Sequence, residues 1–247
     1  MTQSTSYNYT TNRDGIIARA YRIIDVIGEG ETPTTTQITE GAEALNDIVK
    51  EWAAEGMPLW AIKTSSAITM VASTAAYSIG VGSTINQNAP LKIYNAWLRD
   101  TTTNYDTPLL LIPRKSYELL STKTATGVPN QLWYNPPPGI AATENVGTIT
   151  LYVAPNSTTA SGKRLYFSGQ YPFMDFDASA DVPDFPQYWY NAVKWGLADQ
   201  LAYQNSVGLS ERAMITKKAL YHKEVALSFN PEEGSYEITI QPNWDGR

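Results

Sequence analysis

The 247-residue chain has no cysteine and one histidine, His222. The first absence removes disulfides, thiolate metal sites and cysteine nucleophiles together. The second leaves zinc and copper without a workable ligand set. A Ser-His-Asp triad would have to run through His222. No G-x-S-x-G elbow is present, and Lys217, Lys218 and Lys223 flank His222 in sequence, which works against a basic imidazole. Phosphate-cradling loops are missing too: GEGE at 28–31 lacks both a third glycine and a preceding strand. No acidic run has the spacing of a calcium loop. No cofactor is therefore expected. Positive charge is scarce, with 18 Lys and Arg against 24 Asp and Glu, a net charge of −6 and a pI near 4.9. A phosphate-gripping surface needs clustered cations, so tight nucleic-acid binding is not expected, although an acidic wall could let a duplex slide past without sticking. Long apolar runs are absent as well. The longest, in PLLLIP, is far below the roughly 20 residues of a membrane helix, and no membrane partner is expected. MTQSTSYNYTTNRDG shows no basic stretch followed by an apolar one. A secretory route is therefore not expected, and the glycosylation patterns at Asn8 and Asn156 are discounted.

What is present is a pattern whose period changes twice. Residues 12–27 place Ile16, Ala20, Ile23, Ile24 and Ile27 at helical spacing, with Gly28 as the expected stop. A second helix is expected from Thr35 or Thr36, with Ile38, Ala42, Leu45, Val49 and Trp52 as its apolar stripe, Gly56 as its cap and Pro58 beyond. From about residue 61 the chain turns strand-like. AIKTSSAITMVAS, AAYSIGVG, LKIYNAWLRD, TPLLLIP, NQLWYNP, GTITLYVAP and GKRLYFSGQY are short, rich in β-branched and aromatic residues, and bounded by turn formers. In TITLYVA, Ile149, Leu151 and Val153 alternate with Thr148, Thr150 and Tyr152. A short helix over about Arg114–Ser121 interrupts this region. The helical period returns at Asp184 with Pro186 near the helix start and Gly208 as its end, and Ser210 can cap a last helix reaching about Phe229. The spacing predicts an α+β fold: a helical bundle of N- and C-terminal helices with an inserted antiparallel β-sandwich-like domain. The divisions are residues 1–58, 59–183, 184–230 and a tail over 231–247.

Two clusters stand out. Asp175, Asp177, Asp181 and Asp184 lie together in MDFDASADVPD. A pair of carboxylates is all a glycoside hydrolase needs, but acids before a helix also serve its dipole, and that structural reading is favoured. The second cluster is FPQYWYNAVKWGLADQLAYQ, with six aromatics. Successive helical residues point about 100° apart, so one buried face cannot hold them all. Trp52 and Trp189 are assigned to the core, and Tyr188, Tyr190 and Trp195 are left partly outside. Amphipathic aromatics favour protein interfaces. Tyr236, Ile238 and Ile240 alternate ahead of Trp244, a strand-like segment able to join a partner's sheet edge. Exposed aromatics on strands could alternatively stack on sugars, which keeps a carbohydrate- or receptor-binding module open.

ALNDIVKEWAAEGMPLWAI, IPRKSYELLSTKTATGVPNQLWYN, GTITLYVAPNS, KRLYFSGQYP and VPDFPQYWYNAVKWGLADQLAYQNSVG follow one another in an order that resembles the head-to-tail adaptors of short-tailed bacteriophages, the tail tubular protein A or packaged-DNA stabilisation proteins. The resemblance spans about residues 10–230. It implies a structural virion protein and not an enzyme. Twelve copies would ring the underside of the portal protein, extend the channel for double-stranded DNA, retain the packaged genome and seat the tail nozzle or hub protein. The chain would be made in the host cytoplasm. The resemblance further implies that Tyr188, Tyr190 and Trp195 belong to an interface helix and that the segment from Tyr236 through Ile238 and Ile240 to Trp244 reaches the portal. Lys217, Lys218 and His222 are expected to face acidic portal surface.

Overall fold

The computed structural model describes residue 6 and residues 9–55, 61–138 and 145–229. Gly56, Pro58, Tyr236, Ile238, Ile240 and Trp244 lie outside the described residues. The fold is α+β, with helices at both ends of a β region. Among the described residues, those up to Ile48 and from Phe176 onward form one compact unit, and Val49–Asp175 form the other.

The helical unit begins with α1 (Arg13–Ile23). The Asn12 side chain accepts the Gly15 N–H at 2.9 Å, and Asp14 occupies the first turn, where a negative charge suits the dipole. The helix stops earlier than Gly28. Asp25 takes a left-handed φ of 56°, its N–H meets the Arg22 carbonyl, and the Val26 N–H meets the Tyr21 carbonyl. That is a Schellman termination with aspartate in glycine's usual place, which a search for glycine overlooks. Ile24 and Ile27 stay buried beyond the helix end, so their helical spacing reflected burial and not helix.

Helix α2 (Thr35–Glu55) opens with a reciprocal cap. The Thr34 N–H donates to Gln37 Oε1 at 2.8 Å, and the Gln37 N–H donates to Thr34 Oγ1 at 3.3 Å. Its buried face holds Gly41, Ala44, Leu45, Ile48 and Val49, whereas Ile38, Ala42 and Trp52 are only half-buried. The face is therefore rotated from the expected stripe. Gly41 explains the rotation: a Cβ there would lie 2.6 Å from Cγ2 of the buried Ile17 in α1. Only glycine lets the two helices come this close.

A short 3₁₀ turn, Gln187–Trp189, leads into α5 (Tyr190–Gln204), so Tyr188 precedes the helix proper. Trp189 is buried, as expected. A second Schellman end follows, with Ser206 at φ 57° and the Val207 N–H on the Ala202 carbonyl. Gly208, expected to stop this helix, instead stands at the N-cap of α6 (Leu209–Ser228), and the expected cap Ser210 falls inside the first turn. Leu197, Leu201 and Ala198 of α5 and Ile215, Ala219 and Ala226 of α6 are buried, and the Thr216 hydroxyl donates to the Asp199 carboxylate across the two helices. Helix α5 also packs on α1. Chain ends distant in sequence meet here, the Arg13 N–H donating to the Asp181 carbonyl at 2.8 Å.

The β unit contains β1 (Ile62–Thr64), β2 (Ile68–Thr69), β3 (Ala76–Gly80), β4 (Ile85–Asn86), β5 (Lys92–Asp100), β6 (Asp106–Leu111), β7 (Thr126–Gly127), β8 (Gln131–Asn135), β9 (Gly147–Tyr152), β10 (Ala154–Pro155) and β11 (Lys163–Gln170). Two short helices, α3 (Arg114–Glu118) and α4 (Ser157–Gly162), interrupt them. Among the described residues nine strands form one curled mixed sheet, ordered β1-β11-β5-β6-β8-β9-β3-β4 with β2 also on β11. The expected antiparallel sandwich is corrected in this detail: most pairings are antiparallel, but β6–β8 and β3–β4 are parallel, and β7–β10 make a separate parallel pair. Curling lets both halves of the sheet share one core, with Tyr77, Ile79, Leu98, Leu132, Ile149, Leu151, Leu165 and Phe167 all shielded from solvent. The expected alternation in β9 is incomplete, since Thr150 is buried as well. Asn156, discounted as a glycosylation site, caps α4 by accepting the Thr159 N–H at 2.8 Å.

Candidate assembly surface

The helical unit presents aromatic and cationic side chains together. Trp195, half-buried on α5, carries Lys218 Nζ 4.8 Å above its ring and stacks on His222, with centroids 6.0 Å apart at 21°. Tyr221 meets His222 edge-on at 5.3 Å. Tyr188 packs on Phe229 at 5.1 Å, and the Arg212 guanidinium lies 4.4 Å from the Tyr203 ring. The outer side of α6 adds Met214, Leu220 and Tyr221, all exposed, and Phe229 just past its end is 66% exposed. A surface this apolar, rimmed by lysines, is unusual for a free-standing domain and typical of one that meets a partner.

Beside it lies a pocket of about 110 Å³ lined by Tyr9, Arg19, Tyr190, Asn191 and Lys194 among others. Arg19 Nη1 donates to the Tyr9 hydroxyl at 2.7 Å, and Lys194 Nζ donates to Asn191 Oδ1 at 3.0 Å. Burial, then repulsion from Arg19, pushes the Lys194 amine below its ordinary range. Burial, then Lys194 and Lys218, pushes His222 down in the same way. The sign is clear. A histidine whose folded pKa is depressed stabilises the fold above the unfolded pKa near 6.5, and that contribution is lost as pH falls through the lower, folded value. Thermal stability is expected to fall as pH drops below about 6.5 in the wild-type chain, and His222→Gln is expected to flatten that slope. Equal slopes in the two proteins would remove His222 as the cause.

Of the residues singled out from sequence, the structure brings Trp195, Lys218 and His222 into one stack. Lys217 is exposed one residue away on α6, and Tyr188 is 40% exposed on the 3₁₀ turn. Tyr190 is a correction: it is 8% exposed, packed on Tyr9 with centroids 5.9 Å apart, and lies inside the unit, not partly outside it. Tyr9, Arg19 and Lys194 were missed. Lys194 was legible, because it stands four residues from both Tyr190 and Ala198 on an otherwise buried stripe of α5.

The other clusters are engaged locally. Asp175 pairs with Lys50 at 2.5 Å. Asp181 accepts the Ala178 N–H at 2.6 Å in a turn, and the Asp177 carbonyl accepts from Arg13. Among the described residues no group of three or more His, Cys, Asp or Glu is arranged to hold a metal ion. Trp97 stacks on Tyr166 at 5.9 Å and Trp133 on Tyr117 at 5.2 Å, so each tryptophan already has a ring against it. No described helix is long and apolar enough to cross a membrane.

Helices from both sides of a long β insertion that close on one another, with an exposed aromatic–cationic face, define an α+β module. A family model described as SU10 adaptor protein matches residues 11–230, and the chain belongs to that family. It is accordingly a phage head-to-tail adaptor, a structural protein of the virion. No curated protein matches the chain.

Proposed function

We propose that the protein forms a ring, twelve copies in a short-tailed phage, beneath the portal protein. It extends the channel for double-stranded DNA, helps to retain the packaged genome and seats the tail nozzle or hub. The observation that carries this reading is the face of α6 with Tyr188 and Phe229, exposed among the described residues of a chain of an adaptor family. Copies in a ring meet through two different patches, and the portal as template sets the closure. The net charge of −6 suits a channel wall that DNA passes without strong attachment. The lysines of α6 supply the cationic spots that an acidic portal surface would take.

The test is the mass and negative-stain image of the purified portal ring with and without this protein. A stacked second ring with an open channel and about twelve added copies is expected, the free protein remaining monomeric. A well-folded portal that gains no mass sinks the reading. Reversing charge with Lys217→Glu and Lys218→Glu together is expected to weaken docking on the portal about tenfold or more, with a salt dependence smaller than wild type. Unchanged docking would remove the lysines from the portal contact.

A further inference from the structure

The geometry points to the Arg19–Lys194 pocket as a socket for a side-chain carboxylate from a second copy of this chain, presented by the acidic ridge of Glu40, Glu43 and Asp47 on α2. This rests on the reading that copies assemble side by side. Two cations converge on one recess of about 110 Å³ together with Tyr9, Tyr190 and Asn191. Among the described residues neither Arg19 nor Lys194 is in a salt bridge, although five such bridges join other residues. Like charges gathered in a partly desolvated place, with no acid paired to either among the described residues, cost stability unless an anion arrives from outside.

The ridge supplies that anion. Glu40, Glu43 and Asp47 recur at i, i+3 and i+7, so they share one side of α2, and they line a groove of about 350 Å³ with Gln204 and Asn205. Among the described residues none of the three is in a salt bridge either. Pocket and groove belong to the same helical unit and share no lining residue. One copy can therefore offer its ridge to one neighbour while receiving the ridge of another, as a head-to-tail contact requires. Duplex DNA fits the recess less well, because phosphates repeat along a strand and gripping them needs a row of cations. Here two cations line one small recess, where a guanidinium can hold a carboxylate with paired hydrogen bonds.

The test mixes ¹⁴N- and ¹⁵N-labelled full-length copies on the purified portal ring and treats them with a carbodiimide, which joins a carboxylate to an amine in contact. Peptides linking Lys194 of one label to Glu40, Glu43 or Asp47 of the other are expected. Arg19→Gln with Lys194→Gln, and separately Glu40→Gln with Glu43→Gln and Asp47→Asn, should each weaken ring formation about tenfold or more. Lys194→Gln alone should leave the monomer's Tm unchanged or raised, which separates loss of contact from loss of fold. Rings that form normally from both variants overturn the socket and leave the adaptor reading standing. Protection of Lys194 by duplex DNA and not by a second copy overturns it too. If no mixture assembles on the portal, the ring reading falls and the socket falls with it.

Discussion

Gly41→Val is expected to destabilise the helical unit by about 3 kcal/mol, as overpacking of a filled core typically does. A Cβ at this position already comes within 2.6 Å of Ile17 Cγ2, and valine adds two carbons beyond it. Ile17 cannot yield, because it is fully buried in α1 and β-branched, with χ1 stiff in a helix. The few tenths of a kcal/mol gained by removing a glycine from a helix interior are too small to compensate. The measurement is the urea midpoint at constant m-value. A companion chain, Gly41→Val with Ile17→Ala, should recover part of the loss, because the volume removed lies where the new methyls need it. A Gly41→Val protein as stable as wild type would mean that α1 and α2 do not approach here.

Phe167→Ala is expected to cost the β unit about 3–5 kcal/mol, the usual range for truncating a buried phenylalanine. Phe167 is fully buried at the centre of β11, opposite Ala96 of β5. Its N–H donates to Ser65 Oγ at 3.0 Å, and its carbonyl accepts the Ser65 N–H at 2.8 Å. Strand β11 pairs with three others, β1, β2 and β5, so a cavity beneath Phe167 loosens the most connected strand of the sheet. Against a typical total of about 5–15 kcal/mol, the loss should move the midpoint far enough to populate a loosened sheet near 37 °C. Phe167→Leu, which keeps most of the volume, should lose much less. Near-equal midpoints for the alanine and leucine chains would show that the site collapses around the cavity.

The fold class was legible because burial imposes a period. All seven strand-like segments read from the sequence contain strands, and the helices stand within a few residues of where the apolar spacing put them. The errors sit where one residue does another's usual work. Asp25 and Ser206 end α1 and α5 in the left-handed conformation, while the obvious glycines, Gly28 and Gly208, serve a turn and an N-cap. The Thr34-x-x-Gln37 cap was readable and was passed over. Strands β4 and β7, two residues each, carry no period to read. The candidate surface was half legible. Tryptophans and lysines announced the stack around Trp195, but Tyr190 could be placed only by knowing that Tyr9, far away in sequence, lies against it. Rotation of the buried face of α2 had a similar origin, since it depends on how close α1 can come.

The bond from the Arg13 N–H to the Asp181 carbonyl also bears on the timing of synthesis. Helix α1 leaves the ribosome early, yet its partner α5 follows only after residues 49–175 have been made. At about 5–20 residues per second, α1 waits on the order of ten seconds for something to pack against. The β unit can fold in that interval and hold the flanking segments near each other, shortening the loop that must close. The aromatic–cationic face, made by the last two helices, thus comes into being late. A nascent chain lacks this face, and association through it is deferred until folded chains are released.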